Sequence, residues 1–289
     1  MYHKAFGIME TLAPLHVGAS AGEESGNLNL IFRDQFTQTG IVPGSSIRGR
    51  FRADMRTLSG NDEAAYWYGA EAKAGDPAST SEGIVKFEYA SLLWIPVYCP
   101  NQPVVRVSCP TLLRRYRMLA GADVPQHEEI KPYSFYGKEQ VSELFFNLGF
   151  LRLDHRAEAL KHYMPSSIAN GKEYLLVVVD DKDMAMIHDM ALYRQSRVSL
   201  ESETKIAKRG AFFNVEALPE GSILAFPIAM RKEFQGKKIE VDDFLAMGSF
   251  EETRDLYFGG LESVGFGRTR VTVKVRLDDA KAATKTVTK

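Results

Sequence analysis

The apolar positions of this chain recur with two periods, and each period predicts a kind of element. Near the end, Val271, Val273, Val275 and Leu277 alternate with Thr272, Lys274 and Arg276, the pattern of a strand in a sheet with one wet face. Ile47, Phe51, Met55 and Leu58 instead fall four, four and three apart, which is one face of a helix. The turn Pro43-Gly44 precedes that helix, and Ser45 or Ser46 is placed to cap it. Further strands are predicted at Tyr2 to Glu10, Val85 to Phe87, Leu92 to Tyr98, Val104 to Val107, Glu173 to Asp180 and Ser222 to Met230. Helices are predicted at Thr111 to Leu119 behind Pro110, near Val141 to Leu148, at Met184 to Tyr193 and at Val241 to Leu256. Arg194 to Val215 is polar and β-prone and reads as an extended hairpin. Residues 70 to 83 are loop material, and Ala120 to Ala169 reads as an insertion. The order suits an α+β sandwich of ferredoxin type, one domain spanning residues 1–289. Its insertions fall at about 60–83 and 120–170, its hairpin at 194–215, and a small polar tail at 278–289.

Composition narrows the class. The 289 residues are 45% hydrophobic and 25% charged, which excludes a disordered chain, a collagen and a disulfide scaffold. Cys99 and Cys109 form no CxxC pair or Cys/His cluster, so no structural metal is expected. No apolar run reaches membrane-spanning length, and no secretory pattern opens the chain, so the reading is a cytoplasmic protein without membrane contact.

Lys+Arg is 36 and Asp+Glu is 37, a net charge of −1. A whole-surface nucleic-acid binder is usually strongly basic. The cations, however, are gathered: Arg48, Arg50, Arg52 and Arg56 on the first helix; Arg114, Arg115 and Arg117; Arg194, Arg197, Lys205, Lys208 and Arg209 on the hairpin; Arg268, Arg270, Lys274 and Arg276 on the last strand. In the first and last groups, small residues stand beside arginines. Pro43-Gly44-Ser45-Ser46 leads into a helix N-terminus, which attracts phosphate. Gly265-Phe266-Gly267-Arg268 permits close backbone approach. Each feature also has a plain reading: a helix cap, a solvated arginine row, a glycine run without the spacing of a nucleotide fingerprint, and in His16 a packed turn residue. Residues alone indicate an α+β protein with an anionic ligand.

Together, Thr11 to Gly18 (TLAPLHVG), Ile41 to Arg52 (IVPGSSIRGRFR) and Gly259 to Val271 (GGLESVGFGRTRV) resemble the three signatures of the RAMP superfamily of CRISPR proteins. Ala90 to Val97 (ASLLWIPV), Val107 to Tyr116 (VSCPTLLRRY) and Gly210 to Pro219 (GAFFNVEALP) are similar to its Cmr-type backbone subunit. The resemblance implies a ferredoxin-like (RRM-like) palm with a β-hairpin thumb and an inserted finger region. It implies partners: a guide CRISPR RNA, its complementary target RNA, copies of the chain stacked head to tail, and other subunits of a type III-B effector complex. The RNA-binding residues it implies are His16, Ser45, Ser46, Arg48 and Arg52; Arg194, Arg197 and Lys205 of the thumb; and Gly265, Phe266, Gly267 and Arg268.

Such subunits usually also cut the target RNA through an aspartate after the first strand. Here that position falls at Leu28, or with a one-residue slip at Asn27 or Asn29. None is acidic, and an amide is neither a base nor a good metal ligand. Three explanations stand: a cleavage-dead scaffold, an introduced Asp→Asn change, or use of another acid, Glu23, Glu24 or Asp34, with Asp34 the more structural of these. No stably bound cofactor is expected; Mg²⁺ or Mn²⁺ would serve cleavage. A further alternative is a repeat-processing endoribonuclease using His16 with Tyr2 or Lys4.

Overall fold

Strand β1 (Tyr2–Thr11) is apolar on both faces: Ala5 and Met9 enter one core cluster, Phe6 and Ile8 another. Successive strand side chains point to opposite faces, so such a strand belongs in the middle of a covered sheet. The computed structural model describes residues 2–18, 28–70, 80–102, 104–137, 141–169, 174–200 and 207–276. In chain order β1 is followed by β2 (Leu28–Asn29), β3 (Ile41–Val42), α1 (Gly44–Ser59), α2 (Asn61–Tyr68), β4 (Val85–Phe87), β5 (Ala90–Val97), β6 (Val105–Ser108) and α3 (Pro110–Ala120). The middle of the chain holds β7 (Ser134–Tyr136), β8 (Glu143–Phe146), β9 (Gly149–Arg152), β10 (His155–Arg156), α4 (Ser166–Ala169), β11 (Leu175–Val178) and α5 (Asp181–Ala191). Then come β12 (Tyr193–Leu200), β13 (Ala207–Ala217), β14 (Ile223–Arg231), β15 (Glu233–Phe234), β16 (Lys237–Lys238), α6 (Val241–Met247), β17 (Arg254–Tyr257) and β18 (Arg268–Val275).

The main sheet runs β10-β7-β11-β6-β5-β14-β1-β18-β17. Its heart, β5-β14-β1-β18, is antiparallel throughout. With α1 after β1 and α6 between β14 and β18, this is the βαββαβ order of a ferredoxin-like palm, as expected. Helices α1, α2 and α6 cover one face through Ile47, Phe51, Met55, Trp67, Tyr68 and Phe244. Phe51 is the hub, with ring centroids 4.5 Å from Phe250, 5.4 Å from Phe87, 6.0 Å from Phe226 and 6.2 Å from Phe258. Helix α3 and the 3₁₀ helix Glu158–Tyr163 cover the other face with Leu113, Tyr116, Leu160 and Tyr163.

Three expectations are corrected. The helix expected near Val141 to Leu148 is the hairpin β8-β9, because Leu144 and Phe146 are buried alternately rather than at helical spacing. The helix expected to reach Leu256 stops at Met247; Ser249 turns to φ 51°, and Arg254–Tyr257 pairs with β18. Part of the loop expected at 60–83 is α2, which buries Ala64, Trp67 and Tyr68. The 120–170 stretch also adds β7 and β10 to the main sheet. Among the described residues no helix is long and apolar enough to cross a membrane.

Candidate nucleic-acid interface

The segment after β1 and the glycine-rich segment before β18 are built against each other. Leu12 and Ala13 N–H donate to the Arg268 carbonyl (2.8 and 3.2 Å), Gly267 N–H to Pro14 (2.9 Å) and Gly260 N–H to His16 (3.0 Å). Close approach requires the glycines. A Cβ on Gly259 would stand 2.1 Å from the His16 carbonyl oxygen, and one on Gly267 would stand 2.4 Å from that of Phe258; both residues are at positive φ. Gly265, also at positive φ, faces open space.

The expected hairpin, β12-β13, rises beside this loop. Phe266, 3% exposed, packs with Val215 and Ala217 at the hairpin root. The Arg197 guanidinium lies 5.0 Å over the Phe266 ring and donates to the Val264 carbonyl (3.1 Å). Between hairpin and palm sits Glu216, only 1% exposed. Its carboxylate accepts from Arg33 (3.0 Å), Arg194 (3.2 Å) and the Ile31 N–H (3.4 Å). Its backbone carbonyl meets His16 Nδ1 at 2.7 Å. Arg33 also pairs with Asp189 at 2.5 Å, and neighbouring His188, fully buried, accepts the Gly40 N–H on Nε2 at 2.9 Å. The hairpin is therefore clamped by charge to the 31–40 segment and to α5.

Helix α1 opens without a side-chain cap. Pro43 is the N-cap residue, so Ser45 and Ser46 lie in the first turn rather than capping it, and that turn holds no acid. Ser45 is exposed. The arginine row is partly folded inward. Arg48 donates to the Tyr68 carbonyl, a C-terminal carbonyl of α2, where a cation complements the dipole. Arg50 pairs with Asp54, which Arg254 also approaches at 3.2 Å. Arg52 is half-buried and Arg56 exposed.

The structure thus gathers His16, Arg194, Arg197, Gly265, Phe266, Gly267 and Arg268 at one place. It assigns several of them internal work: His16 is 8% exposed, Phe266 is buried, and Arg194 and Arg197 have protein partners, as Arg48 does on α1. Phe266, expected among the RNA-binding residues, packs its ring into the hairpin root. Lys205, Asn27, Glu23 and Glu24 lie outside the described residues. Leu28 and Asn29 form β2, a short parallel partner of β13 opposite Asn214 and Val215. Asp34 is structural, as expected: it accepts from the N–H groups of Phe36 and Thr37 and from the Tyr89 hydroxyl. Burial alone would raise its carboxyl, but those donors hold it below the ordinary aspartate range. Glu216, Arg33, Asp189 and His188 were not among the sequence-derived site residues. The one local signal was a lone Glu between the apolar Val215 and Ala217.

A family model described as the RAMP superfamily matches residues 8–270. No curated protein matches the sequence. Solved structures share the fold. A type III-B Cmr-beta structure bound to cognate target RNA has a TM-score of 0.72 at 17% identity, over 94% of this chain and 98% of that chain. A Cmr-beta structure in the apo state gives 0.68 at 17%, over 96% and 98%. Oligomeric Cmr4 from Pyrococcus furiosus gives 0.64 at 16%, over 95% and 99%.

Proposed function

Because this chain belongs to the RAMP superfamily, we propose that it is a repeated backbone subunit of a type III-B CRISPR effector complex in the cytoplasm, laying a guide RNA across its palm. The observation that carries the proposal is the docking of the glycine-rich loop onto the 12–18 segment, beside the hairpin root and Arg268. Phosphate groups need donors and positive charge, not base-specific contacts. The uncapped first turn of α1, the exposed Ser45, the open side of Gly265 and the exposed Arg268 supply those. The hairpin, held at its root by Glu216 and Phe266, is placed as an arm to cross and kink a guide–target duplex. Only one groove needs positive charge, and the other faces meet copies of the chain and other subunits, which agrees with a net charge of −1. The Cmr4 relative is oligomeric and the Cmr-beta relative carries target RNA.

Cleavage would call on a divalent ion. Among the described residues no three His, Cys, Asp or Glu side chains converge to hold one. Leu28 and Asn29 together offer a single neutral amide oxygen, and Glu216 is committed to two arginines. These positions do not fit a divalent metal, and they favour a scaffold that holds RNA without cutting it. Incubating the assembled complex with matching target RNA and Mg²⁺ or Mn²⁺ tests this. Regularly spaced cuts, abolished by Glu23→Ala or Glu24→Ala, would overturn the scaffold reading.

RNA binding itself is tested with Arg268→Glu, a better probe than Arg48→Glu because Arg48 also holds the end of α2. The variant should weaken binding of all single-stranded sequences alike and flatten the salt dependence by about one phosphate contact. An unchanged or sequence-dependent affinity would count against the proposal.

A further inference from the structure

Outside the palm's four-strand heart, β17 ends the sheet and lies antiparallel to β18, with Tyr257 directly opposite Arg268 and Asp255 opposite Arg270. Directly opposed residues present their side chains to one face, with Cβ atoms about 5 Å apart. Leu256 and Thr269, on the other face, are buried. Arg270 is neutralised by Asp255 at 3.3 Å, Arg254 by Asp54 at 3.2 Å, and Lys274 is bonded to Ser166. Arg268 is exposed, and Tyr257 is 41% exposed. Neither side chain has a hydrogen-bond, ion-pair or ring partner among the described residues. Among the described residues this rung is therefore an uncompensated guanidinium beside an uncommitted aromatic ring, at the entry of the glycine-rich loop.

Resting on the RNA-binding reading above, we infer that Tyr257 and Arg268 form a base-stacking and phosphate-binding pair for one nucleotide of a single-stranded RNA. The chemistry of the pair selects that ligand. An exposed ring offers a face to any base, and a guanidinium one rung away reaches the phosphate of the same nucleotide. Such a step is sequence-tolerant, because every base has a π-face. Next along the two strands, the Asp255–Arg270 pair and the Thr253–Thr272 hydroxyl contact (2.9 Å) carry no net charge, which confines the site to a single rung.

The test uses the full chain, a labelled single-stranded RNA, and the same RNA carrying abasic riboses. Tyr257→Ala should weaken binding of the ordinary RNA by roughly 5- to 150-fold, the range of a lost base stack, and leave binding of the abasic RNA unchanged. Tyr257→Phe, which keeps the ring, should bind like the parent. Tyr257→Trp adds a reporter: the chain's own Trp67 and Trp94 are buried, so RNA should quench the new emission. Equal loss on both RNAs, no loss on either, or unquenched emission with RNA bound would overturn the inference. So would a change in oligomer size without RNA, which would make the ring a protein contact. If Arg268→Glu weakens binding while Tyr257→Ala does not, the RNA-binding function stands and the stacking site falls. If the parent chain binds neither RNA, both fall.

Discussion

Replacing Glu216 by Gln should destabilise the fold by about 3 kcal/mol. The side chain keeps its shape and one acceptor oxygen but loses its charge. Removing one partner of a buried ion pair typically costs 3–5 kcal/mol, because the other charge stays behind in a poorly solvated place. The lower end applies here for two structural reasons. Arg194 is about half exposed (49%) and regains water, so its share is that of a surface pair. Arg33 keeps Asp189 at 2.5 Å, although that carboxylate is itself 53% exposed and screened. The main loss is the Arg33–Glu216 contact at 3.0 Å. Unfolding entropy for 289 residues is about 0.6 kcal/mol per kelvin, so the melting temperature should fall by about 5 °C, read by circular dichroism. Arg194→Ala should cost under 1 kcal/mol, about 1–2 °C. A Glu216→Gln loss below 1 kcal/mol would refute the clamp, and so would an Arg194→Ala loss as large as that of Glu216→Gln.

Other expectations follow from the same geometry. Burial pushes the His188 imidazole below its ordinary range, so it is neutral in the fold and more basic when unfolded; stability is complete above about pH 6.5 and falls as the pH drops toward the folded-state value. The slope is at most about 1.4 kcal/mol per pH unit, and His188→Gln, which can still accept the Gly40 N–H, should reduce it in urea titrations. Gly267→Ala should cost about 3 kcal/mol or more, since it adds a clash to a positive φ, whereas Gly265→Ala, in open space, should cost only the about 1–2 kcal/mol of the left-handed conformation; thermal melts compare them directly. Cys99 and Cys109 are buried, and burial raises the Cys109 thiol strongly. Both should resist alkylation in the native chain and react on denaturation, as mass spectrometry would read.

Periodicity made most of the palm legible. The strand of Val271, Val273 and Val275 and the helix of Ile47, Phe51 and Met55 were readable because one buried face imposes its own repeat on the sequence. Where two faces are buried, or where a short hairpin carries bulky residues, the repeat blurs, and the apolar run from Val141 to Leu148 resembles a helix although it folds as a hairpin. The hairpin arm and its neighbour loop were legible from charge and glycine.

What each arginine does was decided only by the tertiary structure. Sequence shows that cations gather on α1, on the hairpin and at the last strand, but a charge on paper has no partner. Folding brings Arg48 to an α2 carbonyl, Arg33 and Arg194 to Glu216, and Arg270 to Asp255, and leaves Arg268 exposed beside Tyr257. These partners are distant in the chain or one strand over. Their attraction depends on separation and burial, and neither can be read along a single sequence.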